Sequence, residues 1–235
     1  MIPKVIHYCW FGGKKIPAEF RRYMKSWRKF CPDYEIKEWN ESNFDVFSHP
    51  FTKSAYEAKA WAFVSDYARL KVVYERGGIY LDTDVELLRK PDFLLENEFY
   101  IGVSQSEMLC ATGLGYGAGK GNAVVAKMLA QYDGLLYSAS NREAILCPKL
   151  NHAVIESLGY RQSEEPIKIG GALILPRRFL DPIAPGKSEN LLCKDSVSVH
   201  HYAASWASSQ TVLRRKLINA VGVERAQKLK HFLGE

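Results

Sequence analysis

"GGIYLDTDVEL", residues 77–87, is a short apolar strand that ends on two carboxylates. Gly77-Gly78 stops whatever precedes it, residues 79–82 read as a strand, and Asp82 and Asp84 flank a single threonine. Two carboxylates so close repel each other, so either they sit in solvent or a cation comes between them. They converge on one object if the strand ends and the chain turns at Thr83. Strand ends of open α/β sheets are where ligands bind. Paired carboxylates with diphosphate oxygens form the hard donor set of Mg²⁺ or Mn²⁺.

The residues leading into this stretch, "SDYARLKVVYERGG" (65–78), have a helical composition that extends back to about 52. Asp66 and Arg69 are three apart and share a helix face. An exposed pair of that kind is worth little, but these two lie in an apolar helix that leads directly to the aspartates. Arg69 offers planar donors to a phosphate or a sugar hydroxyl, and Asp66 accepts from hydroxyls. Further upstream, "KVIHYCWFG" (4–12) reads as a first buried strand. Residues 17–31 read as a helix that opens at Pro17 and carries Phe20, Met24, Trp27 and Phe30, and 34–40 read as a second strand. Strand, helix, strand with short links is a βαβ unit, which places the chain in the α/β class.

Downstream, 98–104 read as a strand, and "CATGLGYGAGKGN" (110–122), five glycines in thirteen residues, as a loop. A helix is expected over 122–136, mixed strand and turn over 167–183, and a late strand passing into an aromatic loop over 196–207. Residues 212–235 read as one or two basic amphipathic helices interrupted at Gly222. The expected division is a catalytic domain over 1–211 and this helical segment over 212–235.

At 235 residues with 47% apolar and 25% charged side chains, the chain has the composition of a globular protein with a real core. It contains no run long enough to span a membrane and no opening signal segment. Five widely spaced cysteines without a CxxC pair argue against a disulfide framework or a zinc knuckle, so a reducing cytoplasm is expected. The net charge is +6, with +7 in residues 1–30, +4 in 212–235 and −5 between. Basic ends suggest an anionic partner such as a membrane surface, a nucleotide or a nucleic acid; a solvated basic face is the plainer alternative. Laid on a bilayer, the last segment would bury Leu213, Leu217, Leu229 and Phe232 beneath its Arg and Lys heads; ordinary packing of its helices on the domain is the equal alternative.

Two further stretches carry chemistry. In "HYCWFGG" (7–13), Trp10 ends a strand before two glycines, where it stacks on a nucleobase or packs in the core. In "HHYAASW" (200–206), adjacent strand histidines point to opposite faces, so one of His200 and His201 joins a carboxylate site at most, while Ser205 and Trp206 offer donors to phosphate.

Taken together, "IPKVIHYCWFGG", "SDYARLKVVYERGGIYLDTDVEL" and "HHYAASW" resemble glycosyltransferase family 32, over residues 2 to about 207. This family includes capsular and exopolysaccharide sugar transferases and the yeast-type initiating mannosyltransferases, and is related to the clostridial glucosylating toxins. The resemblance implies a GT-A fold: a Rossmann-like, mixed central sheet flanked by helices, here with basic C-terminal helices added. It also implies a nucleotide-sugar donor, most simply a UDP-sugar, a Mn²⁺ or Mg²⁺ ion, and retention of anomeric configuration. Carried over by residue, Asp82, Asp84 and His200 would hold the metal. Asp66 and Arg69 would hold the donor sugar. Ser65 and Tyr80 would flank the nucleotide, Cys9 (main chain) and Trp10 the base, and Ser205 and Trp206 the phosphates. A compact bacterial polysaccharide enzyme is expected, with a saccharide acceptor carried on a polyprenyl diphosphate, peripheral contact with an anionic membrane, and no nucleic acid. The rival readings are a metal-dependent nucleotidyltransferase or phosphohydrolase, and a basic nucleic-acid-binding module.

Overall fold

The computed structural model describes residues 1–184 and 189–203. The expected βαβ start is present: β1 (Val5–Cys9), α1 (Ala18–Phe30) and β2 (Glu35–Trp39), with β1 and β2 parallel. α1 buries Phe20, Tyr23 and Trp27, while Met24 and Phe30 are only partly covered, so its inward stripe differs by one position from the expected one. The helical run over 52–76 divides into α2 (Pro50–Glu57) and α3 (Trp61–Arg76). Lys59 takes a left-handed φ of 57° at the break, and the Ala60 amide donates back to the Ala55 carbonyl. Gly77 closes α3 at φ 69°, where a Cβ would stand 2.9 Å from the Lys120 amide nitrogen, so only glycine fits.

The chain then forms β3 (Gly78–Tyr80), β4 (Val85–Leu87) and β5 (Phe99–Val103). Residues 110–122, expected as a loop, instead supply the longest strand, β6 (Cys110–Ala118). Its glycines serve close approach. A Cβ on Gly117 would meet the Tyr100 ring, and one on Gly113 would meet the Asp82 carboxylate. Next come α4 (Ala123–Ala130), shorter than the expected 122–136, and α5 (Cys147–Ser157), which lies outside the expected elements although Pro148 sits in its first turn. The mixed signals of 167–183 resolve into the hairpin β7 (Ile167–Ile169) and β8 (Ala172–Leu175) and a short α6 (Arg177–Leu180). The late strand is β9 (Ser198–His200). Ser205, Trp206 and the basic helices expected over 212–235 lie outside the described residues.

Seven strands form one mixed sheet in the order β2-β1-β3-β6-β5-β8-β7. β1 is parallel to both its neighbours, whereas β6 is antiparallel to β3 and β5. Each sheet face is covered by its own apolar cluster. One joins α2, α3, α4 and α5 to the sheet; the other joins α1, β4 and α6 to it. β4 pairs separately with β9, matching Val85 to His200, so the residues just after Asp84 lie against the late histidine. All five cysteines are free, and no helix of the described residues is long and apolar enough to cross a membrane.

Trp27 ties α1 to the segment that follows the aspartates. It is fully buried, and its indole N–H donates to the Val85 carbonyl at 2.8 Å. Trp27→Ala therefore opens a large cavity and orphans that carbonyl. Urea unfolding should report a loss of about 3–5 kcal/mol; a loss under 1 kcal/mol would show that this contact does not hold α1 in place.

Candidate functional site: a carboxylate–histidine cluster at the end of β3

β3 ends at Tyr80, and Asp82 to Asp84 form the turn that follows, closed by the Val85 amide donating to the Asp82 carbonyl at 3.0 Å. The expected turn at Thr83 is therefore present, and it separates the two aspartates into different partnerships. Asp82 faces back toward α3. Its Oδ1 lies 3.2 Å from Arg69 Nη2 and accepts the Tyr80 hydroxyl at 2.9 Å. The same Arg69 nitrogen is 3.0 Å from Asp66 Oδ1. One buried guanidinium thus bridges the helix carboxylate and the first aspartate of the pair.

Arg69 itself is fixed on several sides. Its Nε donates to the Ser65 carbonyl at 3.2 Å, and its guanidinium lies over the Tyr80 ring at 4.8 Å. The Tyr116 hydroxyl, from β6, donates to its main-chain carbonyl at 2.8 Å. Burial works against its charge, but Asp82, Tyr80 and Asp66 more than reverse this and hold Arg69 protonated. Burial pushes Asp66 up to about 6, a shift that Arg69 and the neighbouring Cys147 thiol oppose and the Asp82 charge reinforces. Asp82 is also raised, by burial and then by the Asp84 charge, against the pull of Arg69.

Asp84 faces the other way, toward the end of β9. Its Oδ1 is 3.2 Å from His200 Nε2, and its Oδ2 accepts the Ala203 amide at 2.8 Å. The His201 amide donates to its main-chain carbonyl at 3.0 Å. Burial alone would raise Asp84, but the His200 charge and hydrogen bond, with the Ala203 amide, bring it down to about 2. For His200, burial is outweighed by Asp84, and the imidazole rises to about 9.

The choice between the two histidines is now made. His201 turns away, stacks on Tyr23 of α1 at 3.9 Å and meets Glu86 at 2.9 Å. One ligand atom each from Asp82, Asp84 and His200 lies within 4.8 Å of the others. Two carboxylate oxygens and one imidazole nitrogen are a donor set that fits a divalent cation such as Mn²⁺.

The remaining expected residues are spread around this cluster. Tyr80 is fully buried and reaches the site only through its hydroxyl on Asp82. Ser65 is half-buried one turn below Arg69. Cys9 is buried at the end of β1, its thiol pushed up to about 12 by burial. Trp10 stands beside it, half-buried, edge-on to Phe20, with its indole N–H on the Lys14 carbonyl at 2.5 Å. Gly113, Tyr116 and Cys147 also lie against the site, but too far along the chain from the aspartates for spacing to reveal them. For Gly113 and Tyr116 the alternating glycines of 110–122 are the trace in the sequence.

Because a metal takes only neutral imidazole, ion binding must displace the His200 proton wherever the pH lies below about 9. Mn²⁺ affinity should then rise with pH, by about tenfold per unit between pH 7 and pH 8. Calorimetric titrations at those two pH values check this, and equal affinities would remove His200 from the ligand set.

Residues 17–100 match the family described as the glycosyltransferase sugar-binding region containing a DXD motif, a span that includes Asp66, Arg69, Asp82 and Asp84. Over 122 residues the chain is 31% identical to inositol phosphoceramide mannosyltransferase 3 of Schizosaccharomyces pombe, covering 48% of this chain and 34% of that protein. Over 102 residues it is 28% identical to the initiation-specific alpha-1,6-mannosyltransferase of Saccharomyces cerevisiae, covering 39% of this chain and 21% of that one. The chain thus spans about a third or less of the length of these curated relatives. Among solved structures, the PaToxG glycosyltransferase superposes with a TM-score of 0.53 at 18% identity, over 66% of this chain and 69% of its own, a likeness of fold. Residues 17–100 thus resemble the DXD-containing sugar-binding region of glycosyltransferases, and the chain shares the GT-A type of fold.

Proposed function

We propose that the protein moves a hexose or N-acetylhexosamine from a nucleotide-sugar, most simply a UDP-sugar, to a saccharide acceptor, with retention at the anomeric carbon. The observation that carries this reading is the continuous buried chain Asp66–Arg69–Asp82, which meets Asp84 and His200 at one strand end. It couples a hydroxyl acceptor for a sugar to a cluster fit for a cation. Bound there, Mn²⁺ or Mg²⁺ would supply Lewis-acid stabilisation to a diphosphate.

This chain's own residues do the rest. Asp66 accepts from donor-sugar hydroxyls, held in place by Arg69 and Cys147. Arg69 orients Asp82 and keeps a fixed positive charge beside the bond that breaks. Cys9 (main chain) and Trp10 bound the base, Ser65 and Tyr80 support the nucleotide side, and Ser205 with Trp206 donate to the phosphates. The acceptor oxygen bonds to the anomeric carbon on the face from which the diphosphate leaves, and a phosphate oxygen of the leaving group takes its proton. The described residues hold one group of three metal-ligating side chains, which disfavours the two-metal chemistry of nucleotidyl transfer and phosphate hydrolysis.

The acceptor in this reading is a saccharide on a polyprenyl diphosphate, met at the cytoplasmic face of an anionic membrane as in capsular or exopolysaccharide assembly. Its support is α1, which exposes Arg21, Arg22, Lys25, Arg28 and Lys29, none ion-paired among the described residues, while its buried face reaches the site through Tyr23 on His201. Five free thiols suit a reducing compartment.

Asp84→Asn should lower Mn²⁺-dependent release of sugar from UDP-sugars by about a hundredfold or more. Undiminished turnover would refute the site, and metal-dependent hydrolysis of plain nucleotides would favour the phosphohydrolase. Changing Arg21, Arg22, Lys25 and Lys29 together to Glu should weaken sedimentation with phosphatidylglycerol vesicles by about a hundredfold or more. Equal binding by the two proteins would defeat the membrane assignment.

A further inference from the structure

Asp181 is a carboxylate with no exposed surface, just past the end of α6 and outside every motif that pointed to the site. A fully buried carboxylate needs a reason, since desolvating its charge is costly unless its oxygens are answered. One oxygen is answered twice. Oδ2 accepts the Gln105 amide at 2.7 Å and the Tyr202 hydroxyl at 2.5 Å. The Gln105 side chain closes the same corner by donating to the Pro182 carbonyl at 3.0 Å. The other oxygen, Oδ1, is buried without a partner.

Tyr202 lies on the arm that completes the metal cluster. Its backbone is left-handed, at φ 49°, which a tyrosine adopts only when its surroundings impose it. Its ring packs edge-on against His200 with centroids 4.2 Å apart. On either side of it, the His201 and Ala203 amides both donate to Asp84. The strut from Asp181 to Tyr202 therefore holds the turn that places His200 and Ala203 on Asp84. His200 presents Nε2 to Asp84, while its Nδ1 is buried and, like Asp181 Oδ1, without a partner. The Asp181 charge acts on that imidazole. With Nε2 turned to Asp84, the tautomer that carries its proton on Nδ1 leaves the Nε2 lone pair free for an ion.

We propose that Asp181 is a positioning residue of the metal centre, holding the His200–Ala203 arm through Tyr202 and orienting the His200 imidazole toward Asp82 and Asp84. This rests on the metal reading above, so the test begins with the unaltered protein.

Mn²⁺ binding is measured by calorimetry without any donor, together with thermal melting, for the unaltered chain, Asp181→Asn and Tyr202→Phe. Asp181→Asn keeps the shape and removes the charge. It should weaken Mn²⁺ about 10- to 100-fold, and Tyr202→Phe should weaken it in the same direction by a smaller factor. Asp181→Asn that melts earlier yet binds Mn²⁺ as tightly as the unaltered protein overturns the proposal and leaves Asp181 a structural group. If Asp181→Asn does not fold, undiminished Mn²⁺ affinity in Tyr202→Phe overturns it equally. An unaltered protein that binds no Mn²⁺ overturns the metal reading itself, and this proposal with it.

Discussion

A guanidinium only 6% exposed has to find its counter-charge inside the protein, and Arg69 finds it on two sides, at Asp66 and at Asp82. That requirement organises the site. Asp66 is one turn back on the same helix and costs nothing in topology. Asp82 arrives only because α3 stops at Gly77, β3 runs parallel to β1, and the chain turns at Thr83. β6 then has to pass within contact of both groups, and it does so at Gly113, where a side chain would displace the Asp82 carboxylate. Helix, strand and glycine-rich strand are thus three answers to one buried charge.

The two aspartates divide the work because their surroundings differ. Asp82 is bound to Arg69 and Tyr80 and is raised by burial. Asp84 is bound to His200 and a backbone amide and is brought down to about 2. Their mutual repulsion, the feature that makes the sequence stand out, is relieved by two separate cations, one permanent and one titratable. A metal ion would take over part of the second role. The elements that carry its ligands meet by strand pairing, β4 on β9, with α1 packed behind them through Trp27 and Tyr23.

The early chain was legible because its signals are local. Pro17, the spacing of Phe20 and Trp27, and the short links between β1, α1 and β2 each act within a few residues, and the βαβ unit follows from handedness. Asp66 and Arg69 were legible as a pair because helix geometry alone puts i and i+3 on one face. The loop expected over 110–122 failed for a physical reason. Alternating glycine reads as backbone freedom, yet in β6 it provides room for Asp82, Arg69 and Tyr100 to come close. At Gly113 and Gly117, close approach by neighbours distant in sequence, rather than turn chemistry, requires glycine.

By itself the sequence determined the α/β class, the short strand just ahead of Asp82 and Asp84, the helix pair Asp66 and Arg69, and two adjacent late histidines of which one at most joins a carboxylate site. These depend on periodicity, capping and i to i+3 spacing, which are properties of a few adjacent residues. Only the tertiary structure decided that His200 rather than His201 meets Asp84, because pairing Val85 with His200 sends one imidazole inward and lays the other on Tyr23. It alone brought in Asp181, Cys147 and Tyr116, whose contacts with the site span tens of residues. Contacts of that kind are set by which surfaces the sheet order brings together, and no local rule encodes them.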